Sequence, residues 1–166
     1  MLETEVFVAR PIDRVFEFFG DAGNLERITP AFLRFSIVTP RPIEMRPGTL
    51  IDYRLRLHGL PLRWRTLISA WEPPHRFVDE QIRGPYRLWR HEHTFEAAEV
   101  DGVPGTTCRD RVEYAHWGTG LGERLMVRPN LERIFAFRQR AILDVFRGVA
   151  RQGSREGRGV LAPAGV

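Results

Sequence analysis

Residues 81–100, QIRGPYRLWRHEHTFEAAEV, carry the alternation of side chains from which the fold is predicted. The Gly84-Pro85 pair predicts a turn, and a two-residue alternation of side chains follows it. Successive side chains of a strand point to opposite faces. One face of the predicted strand therefore carries Arg87, Trp89, His91, His93, Phe95 and Ala97. The other face carries Tyr86, Leu88, Arg90, Glu92, Thr94 and Glu96.

The first of these faces combines a tryptophan, two histidines and a phenylalanine. Such a mixture is typical of neither an apolar core nor a solvated surface. Ligand-binding cavities are lined by apolar and aromatic side chains together with a few polar groups. The face is therefore predicted to form the floor of a cavity.

The length and composition of the chain indicate one ordinary globular domain. It has 166 residues, of which 43% are hydrophobic and 28% are charged. The net charge is +4, but the basic residues are scattered among acidic ones and form no dense block. Nucleic-acid-binding surfaces concentrate their Lys and Arg residues. We therefore expect no nucleic-acid partner.

Cysteine content and apolar runs bear on the cellular location. Cys108 is the only cysteine of the sequence, which excludes an internal disulfide and a cysteine-based zinc site. Residues 1–13 are charged and alternating, and they lack the apolar centre of a secretory signal. The sequence has no apolar run close to the ~20 residues of a membrane span. We expect a cytoplasmic protein without stable membrane insertion.

The predicted elements are a strand, two short helices, six strands and a long helix, in that order. Residues 3–10 alternate as a first strand, and Asp13 begins a helix that Gly20 ends. A second short helix is predicted within residues 21–30. The six further strands are predicted near residues 35–37, 50–58, 62–71, 77–82, 86–97 and 106–115.

The last helix is predicted from positions that recur at three- and four-residue spacing. These positions are Leu131, Ile134, Phe135, Arg138, Ile142, Val145 and Phe146. Residues 151–166 are rich in glycine and arginine, and they are predicted to form a flexible basic tail. The predicted domain therefore covers residues 1–150.

The architecture follows from the short connections and the last helix. Short turns, including the Asp101-Gly102 hairpin signal, favour an antiparallel sheet because parallel strands need long crossovers. The amphipathic helix must bury its apolar stripe against that sheet. The predicted fold class is α+β, in which a curved antiparallel sheet grips the C-terminal helix and leaves a void between them.

Several stretches of the chain resemble the helix-grip proteins of the START-like (SRPBCC) superfamily, in particular a bacterial polyketide cyclase/dehydrase-like subgroup. They are NLERITPAFLRFSIVTP, GTLIDYRLRLHGLPLRWRTLI, FVDEQIRGPYRLWRHEHTFE, the GT and DRVEY of the last strand, and RIFAFRQRAIL. The superfamily includes polyketide cyclases and dehydrases, plant-allergen-like hormone binders and lipid-transfer domains. The resemblance implies a helix-grip ligand-binding domain over residues 1–150, but no catalytic residues, because this fold hosts several functions.

His91, His93 and Asp110 are the candidate catalytic residues. Pairing across the Asp101-Gly102 turn brings Asp110 within reach of one of the histidines, on the same inner face. An aspartate that orients a histidine serves general acid–base catalysis, and it also satisfies buried polar groups. His-x-His with a carboxylate can also hold a transition metal. Because the sequence has no recognisable third-ligand signature, we predict neither a metal site nor a cofactor.

The candidate ligand-binding residues are aromatic or polar side chains on predicted inner faces. Asp79 and Gln81 share the face of Phe77. We expect them either to point inward and pair with Arg65 or Arg87, or to form a solvated salt bridge at a strand edge. The full set of candidates is Tyr53, Trp64, Asp79, Gln81, Trp89, Phe95 and Tyr114.

Three classes of function are compatible with these observations. The leading hypothesis is a protein that binds a hydrophobic small molecule, lipid- or polyketide-like, in a cavity between the sheet and the last helix. The alternative is a cyclase- or dehydrase-type enzyme that uses the His–Asp pair for proton transfer. The third is a module that binds a partner through its sheet surface and basic tail. The sequence does not determine the oligomeric state.

Overall fold

A curved seven-stranded antiparallel sheet, in the order β1-β7-β6-β5-β4-β3-β2, forms the body of the protein. The computed structural model describes residues 1–57, 59–117 and 127–156, with side chains through Arg147. The strands are β1 (Leu2–Val8), β2 (Ser36–Ile37), β3 (Leu50–Leu57), β4 (Leu60–Glu72), β5 (Arg76–Arg83), β6 (Tyr86–Val100) and β7 (Val103–His116). The predicted antiparallel sheet is confirmed.

Helix α1 (Ile12–Gly20) follows β1 and buries four residues of its apolar face. They are Val15, Phe16, Phe18 and Phe19. The second short helix predicted within residues 21–30 is instead a 3₁₀ turn at Ala22–Glu26. Gly23 and Asn24 are poor α-helix formers, and the side chain of Asp21 accepts a hydrogen bond from the Gly23 amide. A second 3₁₀ turn covers Ala31–Leu33.

Helix α2 (Arg128–Glu156) is the long C-terminal helix and closes the open side of the sheet. Pro129 lies in its first turn, where a missing N–H has no cost. The helix continues to Glu156, within the predicted basic tail of residues 151–166. Residues 157–166 of the predicted basic tail lie outside the described residues, as does His58 of the predicted strand 50–58.

The β6–β7 hairpin is the longest pairing of the sheet and forms as predicted. Asp101 and Gly102 have φ angles of 52° and 75°, the positive values that a tight primed hairpin turn requires. Val100 pairs with Val103 on either side of this turn, and the register continues to His93 opposite Asp110.

A β-bulge interrupts the alternation at the start of β6. The pairing register shifts between Tyr86 and Leu88. An extra residue in one strand reverses the faces of the residues beyond it. Tyr86 consequently lies on the inner face with Trp89, with ring centroids 4.9 Å apart, although the unbroken alternation places it on the outer face.

Two apolar clusters lie on the concave face of the sheet. The larger fills the space between α1, α2 and the central strands, and its members include Val8, Val15, Phe16, Phe77, Phe95 and Ile142. The smaller contains Ala22, Ile51, Tyr53 and Ile68, mostly on β3 and β4. Among the described residues, no helix is long and apolar enough to cross a membrane.

Candidate functional site

Three neighbouring strands place two histidines and two aspartates together on the concave face. Asp79 of β5 pairs directly with His91 of β6, and His93 of β6 pairs directly with Asp110 of β7. Residues opposite each other on adjacent strands point to the same side, with their Cβ atoms about 5 Å apart. The two-residue period of β6 therefore stacks the imidazoles, whose ring centroids are 3.8 Å apart.

Asp110 lies beneath both imidazoles and contacts each of them. Its Oδ1 lies 2.9 Å from His91 Nε2, in hydrogen-bonding geometry. The same oxygen lies 2.8 Å from His93 Nδ1, but off the direction of a hydrogen bond. Oδ2 accepts a long hydrogen bond of 3.4 Å from the Thr4 hydroxyl. Asp110 is therefore a buried carboxylate that is held mainly by the two histidines.

Asp79 approaches the opposite edges of the same two rings. Its Oδ2 lies 3.1 Å from His93 Nε2 and 3.5 Å from His91 Nδ1. Its side chain is 20% exposed, whereas that of Asp110 is 8% exposed. Each histidine therefore has one nitrogen directed toward buried Asp110 and the other toward the more open Asp79.

Arg138 of α2 brings a positive charge to the cluster. Its Nε lies 3.9 Å from Asp110 Oδ2, and its guanidinium lies over the Phe19 ring, 5.7 Å from the centroid. Nε has no hydrogen-bond partner among the described residues. Arg138 is itself 9% exposed, so helix docking brings this cation out of solvent beside the aspartate.

Aromatic rings hold the two imidazoles in place. His93 stacks on Phe77, with centroids 4.1 Å apart and planes 20° apart. His91 meets Phe135 of α2 edge-on, with centroids 5.4 Å apart. These contacts restrict rotation of both rings, so the cluster is well positioned before any ligand arrives.

The environment separates the pKa values of the four groups. Burial lowers the pKa of His91, and the neighbouring His93 lowers it further. Burial also acts to lower the pKa of His93, but the adjacent carboxylates of Asp110 and Asp79 outweigh it and raise this pKa. The pKa of Asp110 lies well below its usual range, because Arg138 and the histidines overcome the effect of burial. The histidines oppose burial in the same way at Asp79 and lower its pKa.

A cavity of about 210 Å³ lies between β3–β6, α2 and the 3₁₀ turn after α1. Its wall is mainly apolar and aromatic, and Asp79, His91, His93 and Arg138 contribute polar groups to it. The apolar wall includes Leu25, Ile28, Phe35, Tyr53, Leu55, Leu57, Leu62, Trp64, Trp89, Leu131, Ile134 and Phe135. Asp110 lies behind the histidines and does not contribute to the wall formed by the described residues.

Four of the predicted ligand-binding residues line this cavity, namely Tyr53, Trp64, Asp79 and Trp89. The structure places the other three elsewhere. The Gln81 amide bonds to the backbone of Tyr86 and stabilises the Gly84-Pro85 turn. The Phe95 ring packs in the core, with its centroid 5.0 Å from that of Phe19. Tyr114 lies beside Tyr86 at the end of β7, with centroids 6.3 Å apart.

The predicted partners of Asp79 also differ from those in the structure. Arg65 points to the outer face, where its guanidinium forms hydrogen bonds of 2.7 and 2.8 Å with Asp52. Asp79 instead meets His91 and His93, which lie on the neighbouring strand. The predicted proximity of His91, His93 and Asp110 is present, while their catalytic role stays a prediction.

Sequence reasoning missed Arg138 as a member of the site. The residue occupies an inward position of the helical stripe, between Phe135 and Ile142. A charged residue at such a position must be paired when it is buried. The place of Arg138 on the apolar stripe was therefore the sequence signal that it contacts an acidic group. Leu131 and Phe135, which precede it on the same stripe, line the cavity.

The cluster has the components for three kinds of chemistry. The imidazoles can exchange hydrogen bonds with a polar group of a ligand. The His91–Asp110 pair has the geometry of an oriented acid–base unit. The cavity-facing nitrogens and Asp79 can together ligate a metal ion.

Comparisons with known proteins agree with this fold. The family model described as polyketide cyclase / dehydrase and lipid transport matches residues 8–142. Among curated proteins, none matches the chain.

Similar solved structures include enzymes and plant proteins. The Zhui aromatase/cyclase from Streptomyces sp. R1128 is 18% identical with a TM-score of 0.67, and the match covers 96% of this chain and 98% of that one. Protein Ms6760 from Mycobacterium smegmatis is 18% identical with a TM-score of 0.64, and the match covers 89% of this chain and 91% of that one. The major latex-like protein 151 from Panax ginseng is 12% identical with a TM-score of 0.63, and the match covers 87% of this chain and 95% of that one. Identities this low support a shared fold alone.

Proposed function

The chain belongs to the polyketide cyclase/dehydrase and lipid transport family, and on that premise we propose that it binds a compact hydrophobic molecule carrying a polar group. The observation that carries the proposal is the distribution of polarity in the cavity. Aliphatic and aromatic side chains form most of the wall, and the His–Asp cluster with Arg138 supplies ionisable groups on it. Such a wall favours an apolar body and orients one polar group.

The volume of the cavity limits the size of the ligand. A cavity of about 150 Å³ lined by apolar side chains holds benzene. At about 210 Å³, the cavity suits one or two fused rings, or a short acyl chain. The aromatic side chains of Tyr53, Trp64 and Trp89 in the wall favour an aromatic ring through edge-to-face contacts.

The polar group of the ligand is proposed to meet Asp79 and the two histidines. These three side chains reach the cavity, whereas Asp110 is behind them. Burial makes a hydrogen bond here stronger than one in water, and it makes an unpaired polar atom costly. A hydroxyl or carbonyl oxygen on one edge of the ligand satisfies the site. Location in the cytoplasm is proposed with this function, on the composition and cysteine arguments above.

Leu55→Trp is expected to weaken binding of 2-naphthol, a two-ring molecule with one hydroxyl, by about 10- to 100-fold. Leu55 lies in the cavity wall on β3, so the larger indole occupies space that the ligand needs. The measurement is calorimetric titration of the purified full-length chain.

Leu50→Trp is the matched control. Leu50 lies on the same strand but is 46% exposed and outside the cavity wall. This variant should retain the affinity of the unmodified protein. Equal affinities for both variants would place the ligand outside the cavity and refute the proposal.

A further inference from the structure

We propose that Asp79, His91 and His93 form a binding site for one divalent transition-metal ion, with its open coordination positions facing the cavity. The inference rests on the proposed function only in that the ion would hold the polar oxygen of the hydrophobic ligand. Ion binding itself depends on the cluster alone and is measurable without any ligand.

The types of side chain suit a first-row transition ion. Two imidazole nitrogens and one carboxylate oxygen are a set that binds Zn²⁺, and the same set with open positions binds Fe²⁺. The three side chains come from adjacent strands, two of them from one strand face, and β-sheet pairing fixes their backbone positions. One ligand atom from each residue lies within 4.8 Å of the other two.

The distances between these atoms are close to those around a bound ion. Ligand atoms about 2.1 Å from a metal, at tetrahedral or octahedral angles, are separated by roughly 3.0–3.4 Å. Asp79 Oδ2 lies 3.1 Å from His93 Nε2 and 3.5 Å from His91 Nδ1. The two distances from Asp79 therefore suit a shared ion, and the three residues offer ligand atoms that all lie within 4.8 Å of one another.

Asp110 supplies the support that metal-binding histidines have in known sites. A ligating histidine usually donates its other ring N–H to a carboxylate or carbonyl, which fixes the tautomer and the ring orientation. Asp110 Oδ1 lies 2.9 Å from His91 Nε2 and 2.8 Å from His93 Nδ1. These are the two nitrogens that face away from Asp79. The carboxylate thus orients the His91 ring by a hydrogen bond and lies against Nδ1 of the His93 ring, and Arg138 lies 3.9 Å behind it.

The unpaired nitrogen of His93 favours this arrangement over a closed hydrogen-bond network. His93 Nδ1 is buried and has no well-directed hydrogen bond among the described residues. A proton on Nδ1 leaves Nε2 free to ligate an ion, and a small shift of the ring would bring that Nδ1–H into line with Asp110.

Access from the cavity also fits a bound ion. Asp79, His91 and His93 line the cavity, whereas Asp110 does not. Three protein ligands with one open side are the pattern of zinc sites that bind a substrate or water.

The test titrates EDTA-treated full-length protein with Zn²⁺, and with Co²⁺ to observe its visible spectrum. We expect one ion per chain, with a Kd below about 1 µM for Zn²⁺. Asp79→Asn removes a ligand and should weaken binding at least 100-fold, whereas Asp110→Asn should weaken it by about 10- to 100-fold. His75→Ala is the control, because His75 is exposed and outside the cluster, and it should bind as the unmodified chain does.

A second measurement on the unmodified protein covers the case in which a variant fails to fold. Zn²⁺ should shift the ¹⁵N resonances of His91 Nδ1 and His93 Nε2 and leave those of His75 in place. Absence of stoichiometric binding, or binding that leaves the two cluster resonances unmoved, would overturn the inference. Titration of the EDTA-treated protein with 2-naphthol separates the two proposals, since ligand binding without ion binding refutes only the metal site.

Discussion

Replacing Asp110 with alanine is expected to lower the free energy of unfolding by about 3–5 kcal/mol. The carboxylate is buried and lies within 3.9 Å of Arg138, which is buried as well. Its removal leaves the guanidinium without its nearest negative charge. It also removes the hydrogen-bond partner of His91 and leaves two imidazoles with only Asp79. Loss of one partner from a buried ionic network costs more than loss of the pair.

Urea denaturation of Asp110→Ala beside Asp144→Ala measures this effect. The Asp144 side chain is 75% exposed, and its Oδ1 lies 3.9 Å from a guanidinium nitrogen of Arg147. An exposed pair of this kind contributes at most about 1 kcal/mol, so the control should change stability little. A loss below about 1 kcal/mol for Asp110→Ala would mean that water reaches Arg138 and that the cluster is not closed on this side.

Phe95→Ala should destabilise the protein by about 3–5 kcal/mol. Phe95 is 1% exposed and lies at the centre of the larger apolar cluster. Its ring centroid lies 5.4 Å from that of Phe16 and 5.0 Å from that of Phe19, both on α1. Truncation removes these contacts and leaves a void in the region where α1 packs on the sheet, so the predicted cost includes both effects.

The control for this variant is Phe137→Ala. Phe137 lies on α2 and is 36% exposed, so its truncation should lower the free energy of unfolding by about 1–2 kcal/mol, less than the loss for Phe95→Ala. Similar losses for the two variants would show that Phe95 does not occupy the centre of the core. Retained affinity of Phe95→Ala for 2-naphthol would agree with its position away from the cavity wall.

Local patterns of residues were sufficient to predict the sheet and its C-terminal helix. The alternation around His91 and His93 predicts β6 because one side of that strand is buried and the other is not. Asp101-Gly102 predicts the hairpin because few other residue pairs tolerate two positive φ angles. The inward positions of α2 recur at helical spacing because one side of that helix is buried and the other is not.

The features that were missed depend on interactions between distant parts of the chain. The bulge that turns Tyr86 inward follows from the register between β6 and β7. The contact of Asp79 with the histidines follows from pairing of β5 with β6, and no alternation within β5 specifies its partner. The role of Arg138 emerges only when α2 docks over Asp110. A two-residue period locates side chains on a face, but tertiary packing decides which of them meet.

The most direct test of the account compares the binding of 2-naphthol and 2-methylnaphthalene to the unmodified protein. The two molecules have nearly the same size and differ in one hydroxyl, so the pair separates the apolar wall from the polar cluster. Both should bind, and 2-naphthol should bind at least about tenfold more tightly, because a hydrogen bond to a charged buried group contributes about 1.5–3 kcal/mol. Equal affinities would contradict recognition by Asp79 and the histidines, and failure of both to bind would contradict the ligand cavity itself.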